Sequence, residues 1–318
     1  MAEPKPKVFV LNPYHPEALQ LLKESPEIES IFQGYSERWQ DEADGILLRS
    51  ESRITAQDLE AAKKLKVIVK QGVGVDNVDV EAARKANVAV CNTPAMNSES
   101  VAELTISLAL AVARRLVEMD RLLLRGEKLV RSQLLGQSLF QKSIGIVGMG
   151  AVGRQVAEKW LGAMKGRVVA YDPFAPKGAW PDVEHRRVAD LDSLLDSSDV
   201  VTLHVPLTDT TRNMISRRQF KLMKKNAILL NCSRGGIVNE EDLLEALEAK
   251  EIFGAALDAT EVEPVTLEAY GRHLANDNLI LTPHVGASTE ENQSASGKFA
   301  VQTILDVLAG KDVPNRIV

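Results

Sequence analysis

The segment SIGIVGMGAVGRQVAEKW, residues 143–160, restricts the fold more than any other part of the chain. An apolar strand pattern runs into Gly148-Met149-Gly150-Ala151-Val152-Gly153, and a helical pattern follows. A strand that passes through G-x-G-x-x-G into a helix marks a βαβ unit of a parallel sheet. Each glycine has a physical task. Gly148 permits the tight turn, Gly150 lets a pyrophosphate approach the backbone, and Gly153 lets helix and strand pack closely. The phosphates then rest on the positive end of the helix. Alone, the motif also fits a structural Gly-rich turn or a methyltransferase loop. Its context narrows the reading, because the strand Arg167–Tyr171 runs into Asp172, nineteen residues beyond Gly153. An acid at that place accepts hydrogen bonds from the adenosine ribose. It also repels the 2′-phosphate of NADP, so NAD is the expected cofactor. Pro173 and Phe174 bring no cation to offset the charge, although Lys177 stands close in sequence.

Strand and helix periods alternate along the rest of the chain. In the first third, Lys7–Leu11, Gly45–Arg49, Val67–Gln71 and Val88–Cys91 read as strands, and Pro16–Glu24, Thr55–Lys64 and Val80–Asn87 as helices. From Ser143 onward, Ser143–Val147, Arg167–Tyr171, Val200–His204, Ala227–Asn231, Phe253–Leu257 and Leu279–Thr282 read as strands. Val152–Ala163, Leu191–Asp196, Ser216–Met223, Glu240–Ala249 and Thr289–Ala309 read as helices. The alternation predicts an α/β fold of doubly wound parallel sheets. Between the two series, one helical pattern spans about Ser98 to Arg125 and ends at Gly126. Ser100-x-x-Glu103 matches a capping box near its start, with Asn97 or Ser98 as the alternative cap. Its first half, VAELTISLALAVA, is apolar almost all round. That fits a buried core helix and a helix shared between domains or subunits equally well.

The 318 residues are 45% hydrophobic and 26% charged, which excludes a disordered chain and suggests two domains. Lys+Arg is 38 against 44 Asp+Glu, a net charge of −6, so nothing draws the chain to nucleic acid or anionic lipid. The most apolar stretch, Leu104–Ala113, is too short to span a membrane. Near the N-terminus only Val8–Leu11 is apolar, a strand rather than a signal peptide. Cys91 and Cys232 lie far apart without CxxC spacing, so neither a disulfide framework nor a metal site is expected, and a cytoplasmic location fits.

The remaining chemistry sits at strand ends: His204 in LHVPLTDTT, Cys232-Ser233-Arg234 in LLNCSRGGIVNE, and Asp258 in GAALDATEVEP. In a parallel sheet the C-terminal ends face one crevice, so these residues should converge. Glu263 precedes Pro264, and His284 follows Pro283 just after a strand. An arginine, an acid and a histidine are the parts needed to reduce a 2-oxo acid. Arginine holds a carboxylate with its planar fork, histidine moves a proton near neutral pH, and the acid orients the imidazole. His15, His185 and His273 read as surface residues.

With these motifs the chain resembles the D-isomer-specific 2-hydroxyacid dehydrogenases over essentially its whole length. The likeness rests on LLRS around Arg49, Gly72-Val73-Gly74-Val75-Asp76-Asn77, NSESVAE at 97–103, GMGAVG with Asp172, HVPLTDTT, NCSRGGIVNE, ALDATEVEP and TPHVGAST. It is greatest to the phosphoglycerate dehydrogenase branch, in a short form that ends near PNRIV without a regulatory domain. The resemblance implies two Rossmann-like doubly wound domains with an active-site cleft between them. A discontinuous substrate-binding domain would comprise 1–96 and 287–318, and a dinucleotide-binding domain 97–286. It implies that Arg234 binds the substrate, that His284 is the acid/base and that Glu263 pairs with it. Ala151 and Val152 match the pyrophosphate turn. Cys232, Ser233 and Asp258 match positions beside the nicotinamide, and His204, Val205, Pro206 and Gly286 complete the cofactor contacts. The backbone of Gly72, Val73 and Gly74 matches the loop that holds the substrate carboxylate. Arg49 would reach a second anionic group, unless it is simply paired with an acid such as Glu51. Ala259-Thr260 and Val73 depart from the family's usual residues and bear on pocket size and polarity. The family also implies a homodimer and a small-molecule acid as substrate, with reduction of hydroxypyruvate, glyoxylate or bulkier 2-oxo acids as alternatives. A dinucleotide-sensing, corepressor-like binding protein on the same fold is the competing reading.

Overall fold

The structure, a computed structural model, describes residues 4–32 and 39–318. The chain divides into two compact units, one formed by Met1–Asn97 with Ala287–Val318 and the other by Ser98–Gly286.

The first unit begins β1 (Lys7–Val10), α1 (Pro16–Lys23), β2 (Glu29–Ile31), α2 (Trp39–Glu42), β3 (Gly45–Leu48), α3 (Ala56–Ala61), β4 (Val67–Lys70), α4 (Val80–Lys85) and β5 (Ala89–Cys91). Among the described residues the strands form one parallel sheet in the order β2-β1-β3-β4-β5. Both faces are covered, which is why β3 and β4 read as unbroken apolar runs. Val8, Val10, Leu47, Val67 and Val69 pack toward α1, while Phe9, Ile46, Leu48 and Ile68 pack with Trp39, Leu59 and Ala83. Local chemistry starts the helices. Thr55 and Asp58 form a reciprocal capping box at α3, and Asp79 caps α4. The order places a switch point between β1 and β3, where the chain leaves β1 in opposite directions and a crevice opens at the strand ends. There the Arg49 amide donates to Asn12 Oδ1 at 2.8 Å.

The second unit holds α5 (Ser98–Ala113), α6 (Leu116–Leu124), β6 (Ser143–Val147), α7 (Ala151–Met164), β7 (Arg167–Tyr171), β8 (Arg186–Arg187), α8 (Leu191–Ser197), β9 (Val200–Leu203), α9 (Arg217–Leu222), β10 (Ile228–Asn231), α10 (Glu240–Glu248), β11 (Gly254–Leu257), α11 (Leu267–Leu274) and β12 (Leu279–Leu281). The described strands form a parallel sheet in the order β12-β11-β10-β9-β6-β7-β8. Ile144, Ile146, Val168, Ile228, Leu230 and Ala256 face α5 and α7. Val147, Val169, Val201, Leu203, Leu229 and Leu257 face α8, α9 and α10. The switch point lies between β6 and β9. The chain returns to the first unit through α12 (Glu290–Leu308), capped by Thr289. Residues 313–318 then run antiparallel to β5, with Ile317 donating to Val90 and Val90 to Val318.

Three expectations change. The pattern 98–125 is two helices, because Arg115 takes a left-handed φ of 55° and breaks it. Its guanidinium bonds both carboxylate oxygens of Glu118 at 2.5 Å, which starts α6. Ser100 lies inside α5, so Ser100-x-x-Glu103 is not a cap. His273 is buried, not superficial. The short elements β2, α2 and β8 carry too little periodicity to be read from sequence, and α11, amphipathic but only eight residues long and distorted at Tyr270 (φ −124°), was not read either. Among the described residues no helix is long and apolar enough to cross a membrane.

Candidate active site

In the second unit the glycine turn has the geometry its spacing requires. Gly148 adopts φ 101°, and a Cβ on it would lie 2.3 Å from the carbonyl oxygen of His204, across the switch point. A Cβ on Gly153 would lie 2.2 Å from the Gly148 carbonyl oxygen, so strand and helix touch there. Gly150 differs: a Cβ would meet nothing within 4 Å among the described residues. Ala151 and Val152 open α7, whose first turn carries no acid. An open space at Gly150, lying against the positive end of a helix without an acid, fits a pyrophosphate.

Asp172 follows β7 as expected. Its Oδ2 accepts from the Met149 amide at 2.9 Å, and its Oδ1 from the amides of Phe174 and Ala175 at 2.9 and 3.1 Å. The carboxylate thus ties the glycine turn to the loop after β7. Sequence reasoning missed Arg187 of β8, which donates to the carbonyls of Asp172, Ala175 and Pro176 at 2.6–2.9 Å and fastens that loop. Lys177 is exposed.

Beyond β9, His204 turns its Nε2 to the Thr202 hydroxyl at 2.9 Å, and Nδ1 is buried without a partner among the described residues. Burial lowers this imidazole to about 3, so it is neutral at physiological pH. Val205 and Pro206 continue along the crevice, and Val205 also approaches Gly148.

After β10 the turn is organised by Asn231, a residue the sequence did not single out. Its Oδ1 accepts from the Ser233 amide and hydroxyl at 3.1 and 2.7 Å, and its Nδ2 donates to the Arg234 carbonyl at 2.8 Å. The Arg234 Nη1 donates to the Ser233 carbonyl at 2.8 Å. Cys232 is buried. Burial, reinforced by the Asp258 charge and opposed by a Thr105 hydrogen bond, pushes its thiol up to about 12. It is a packed thiol, not a nucleophile.

Asp258, after β11, is buried and fully engaged. Its Oδ1 accepts from the Thr282 hydroxyl and Val285 amide at 2.6 and 2.8 Å, and Oδ2 from the Gly286 amide at 2.8 Å. These bonds bracket His284 on both sides. His284 itself takes φ 54°, a left-handed conformation that a non-glycine residue adopts only when its surroundings impose it. Its Nδ1 lies 3.0 and 3.1 Å from the two oxygens of Glu263, and both side chains remain more than a third exposed. Burial raises the Glu263 carboxyl. The hydrogen bond and charge of His284, the Thr260 amide and the Arg234 charge together outweigh it, and the carboxyl is held below its ordinary range. Arg234, Glu263 and His284 are therefore electrostatically coupled.

In the first unit Arg49 sits at the β1/β3 switch point. It donates to the Pro13 carbonyl at 3.2 Å and lies 4.0 Å from Glu51, so the pairing with an acid is present. Thr93 corrects the reading of the Gly72 loop. The Gly72 amide donates to Thr93 Oγ1 at 2.7 Å, and its carbonyl accepts from the Thr93 amide. Gly72 is consequently occupied, and Asn92 holds the Val73 carbonyl at 2.6 Å. Val73 and Gly74 form the tip. Sequence reasoning also missed Lys70. It is buried at the end of β4, and its Nζ would stand 2.5 Å from a Cβ on Gly72. Among the described residues no cluster of His, Cys, Asp or Glu is arranged to hold a metal ion.

A family model described as "D-isomer specific 2-hydroxyacid dehydrogenase, NAD binding domain" matches residues 106–286. A D-3-phosphoglycerate dehydrogenase of Methanocaldococcus jannaschii is 42% identical over 97% of the chain, which spans 59% of that relative's length. A hydroxypyruvate reductase of Thermotoga maritima is 39% identical over 95% of the chain and 98% of its own length. The solved structure of the TT0316 protein from Thermus thermophilus superposes with a TM-score of 0.87 at 36% identity, covering 98% of this chain and 100% of that one.

Proposed function

The chain belongs to the D-isomer-specific 2-hydroxyacid dehydrogenases, and on that premise we propose that it interconverts a small 2-hydroxy acid and its 2-oxo acid with NAD. The observation that carries this reading is the His284–Glu263 pair, with Nδ1 at 3.0 Å from the carboxylate, coupled to the Arg234 charge. When bound, NAD supplies or accepts the hydride at C2. Arg234 presents a planar fork that pairs with the substrate carboxylate and polarises the C2 oxygen. Nδ1 of His284 is held by Glu263, which leaves Nε2 to give a proton to that oxygen in reduction and take it in oxidation. Glu263 favours the charged imidazolium and fixes the ring. Asp258 holds the turn that carries His284. The second unit is the dinucleotide-binding domain and the first the substrate-binding domain, with the Val73 and Gly74 amides as carboxylate contacts.

Two cations of the first unit, Arg49 at its switch point and Lys70 beside the Gly72 loop, favour a substrate with a second anionic group. Val73, exposed at the loop tip, and the retention of Arg49 by Pro13 and Glu51 favour a shorter acid such as hydroxypyruvate or glyoxylate. NADH oxidation with phosphohydroxypyruvate, hydroxypyruvate, glyoxylate, pyruvate and bulky 2-oxo acids tests the proposal. Turnover of at least one is expected. NADH binding without turnover of any would point to a dinucleotide-sensing binding protein. A homodimer is supported by the apolar side chains that α6 and the segment before β6 leave exposed: Leu116, Leu123, Leu124, Val130, Leu135 and Phe140. Light scattering on the eluting protein checks it. A cytoplasmic location accords with two free, buried cysteines.

A further inference from the structure

Behind the Glu263–His284 pair lies a buried carboxylate, Glu240, that the proposed reaction does not use. Glu240 is the first residue of α10, where the helix dipole favours an anion. Its side chain is nearly inaccessible. Its Oε1 accepts from the Glu261 amide at 2.7 Å, and its Oε2 from the Tyr270 hydroxyl at 2.8 Å. The same phenol oxygen accepts from the Val262 amide at 2.9 Å. Two successive amides immediately before Glu263 are therefore pinned to one carboxylate, the first directly and the second through the phenol.

The loop has few other ways to move. Thr260 closes it internally, its hydroxyl donating to the Val262 carbonyl at 3.1 Å and its amide to Glu263 Oε1 at 3.3 Å. On the opposite side it presses on the turn that carries Arg234, since a Cβ on Gly235 would stand 2.0 Å from the Thr260 carbonyl oxygen. His273 completes the packing. Its Nε2 lies 3.1 Å from the Glu240 carbonyl, and its ring meets Tyr270 edge-on at 5.4 Å.

We propose that Glu240 and Tyr270 are positioning residues that fix the 261–263 segment, and so set the distance and orientation of Glu263 toward His284. Packing alone would not need a charge: an apolar residue of similar volume would fill the site at a smaller desolvation cost, and a neutral amide, with a single acceptor oxygen, could not take both donors where they stand. The charge instead makes both bonds short and strong, which holds a part-exposed acid in one place. Tyr270, Glu261 and His273 are the titratable groups that face Glu240. Burial pushes the Glu240 carboxyl up, against the hydrogen bonds from Tyr270 and the Glu261 amide.

The inference rests on the proposed role of Glu263, and its test separates the two. Tyr270→Phe removes both bonds of the phenol while keeping the ring. Reduction should lose kcat about 10-fold with little change in NADH affinity. Its pH profile should move toward acid, as in Glu263→Gln, and the two substitutions together should do no more than Glu263→Gln alone. NMR titration of the His284 ring, which needs no substrate, should show the same acid displacement in both single variants. A displacement in Glu263→Gln but none in Tyr270→Phe, or additive effects in the double variant, would overturn the positioning role and leave the Glu263–His284 reading intact. No displacement in Glu263→Gln would instead defeat that underlying reading. If Tyr270→Phe does not fold, Glu240→Gln decides by the same titration, with a displacement expected and its absence fatal to the proposal.

Discussion

His204 gives a quantitative handle on the second unit. Its Nδ1 is buried without a partner among the described residues, and burial lowers the imidazole from 6.5 to about 3. The folded chain keeps the ring neutral at pH values where the unfolded chain protonates it. Because the folded value is depressed, stability is fully present above about pH 6.5 and is lost as pH falls toward 3. Each pH unit in that window costs about 1.4 kcal/mol. Integrated from pH 7 to pH 5, the loss is about 2 kcal/mol. The figure depends little on the folded value, since anything below about 4 gives nearly the same loss at pH 5. His204→Gln replaces the ring with an amide that does not titrate, and the other titrating groups are common to both proteins. Urea unfolding at pH 7, 6 and 5, followed by tryptophan emission, to which Trp160 and Trp180 of the second unit contribute along with Trp39 of the first, should show wild type losing about 2 kcal/mol more than the variant between the extremes. Parallel pH dependence in the two proteins would show that burial does not hold His204 neutral, as would an NMR titration in which its ring is already protonated at pH 6.

Asp172→Ala should weaken NADH about 10- to 150-fold, because it removes a charge-assisted ribose contact and unties the glycine turn; an unchanged preference between NADH and NADPH would count against the assignment. His284→Ala should lower kcat/KM by about 10²–10⁴-fold. Glu263→Gln should be milder and should move the pH profile of reduction toward acid, because the amide no longer favours the imidazolium; an unmoved profile would contradict the pairing. Arg49→Ala and Lys70→Ala should each impair turnover of phosphohydroxypyruvate more than that of pyruvate, by roughly 10-fold or more if each makes a charged hydrogen bond, and equal losses on both substrates would exclude a second anion site.

Most strands and helices were legible, because buried strands such as β3, β4 and β6 read as unbroken apolar runs and α7 carries the period-3.6 pattern. What was not legible depends on partners distant in sequence. The pattern 98–125 has no break at Arg114-Arg115, because the interruption is a left-handed residue held by its own ion pair with Glu118. Residues 313–318 have little strand character, yet they find β5 through bonds to Val90 and Asn92. In the candidate site, strand-end position pointed to Arg234, Asp258 and His284. Position could not say that Asp258 spends its carboxylate on the His284 turn, that Thr93 occupies the Gly72 amide, or that Lys70 is buried beside that loop. Lys70 lies inside the strand pattern 67–71, and nothing in that pattern signals that its charge is buried.

The glycine turn separates what the fold needs from what the cofactor needs. Gly148 and Gly150 are two residues apart in one motif, and its spacing assigns them different tasks. At Gly148 an added methyl would lie 2.3 Å from the His204 carbonyl oxygen and would have to be carried at φ 101°. Backbone cannot yield as a flexible side chain does, so Gly148→Ala should cost about 1–3 kcal/mol for overpacking. It should cost about 1–2 more for the left-handed conformation. At Gly150 the backbone is extended, with φ −77° and ψ −165°, and the methyl would meet nothing within 4 Å among the described residues. Gly150→Ala should therefore fold with about 1 kcal/mol of loss or less, while the methyl fills the space a pyrophosphate would take. NADH binding followed by fluorescence, paired with urea unfolding of both variants, distinguishes the two effects. Gly150→Ala should keep the unfolding midpoint near wild type and weaken NADH at least 10-fold, about 1.4 kcal/mol. Gly148→Ala should lose stability first. A Gly150→Ala protein that binds NADH like wild type would remove the pyrophosphate from this turn.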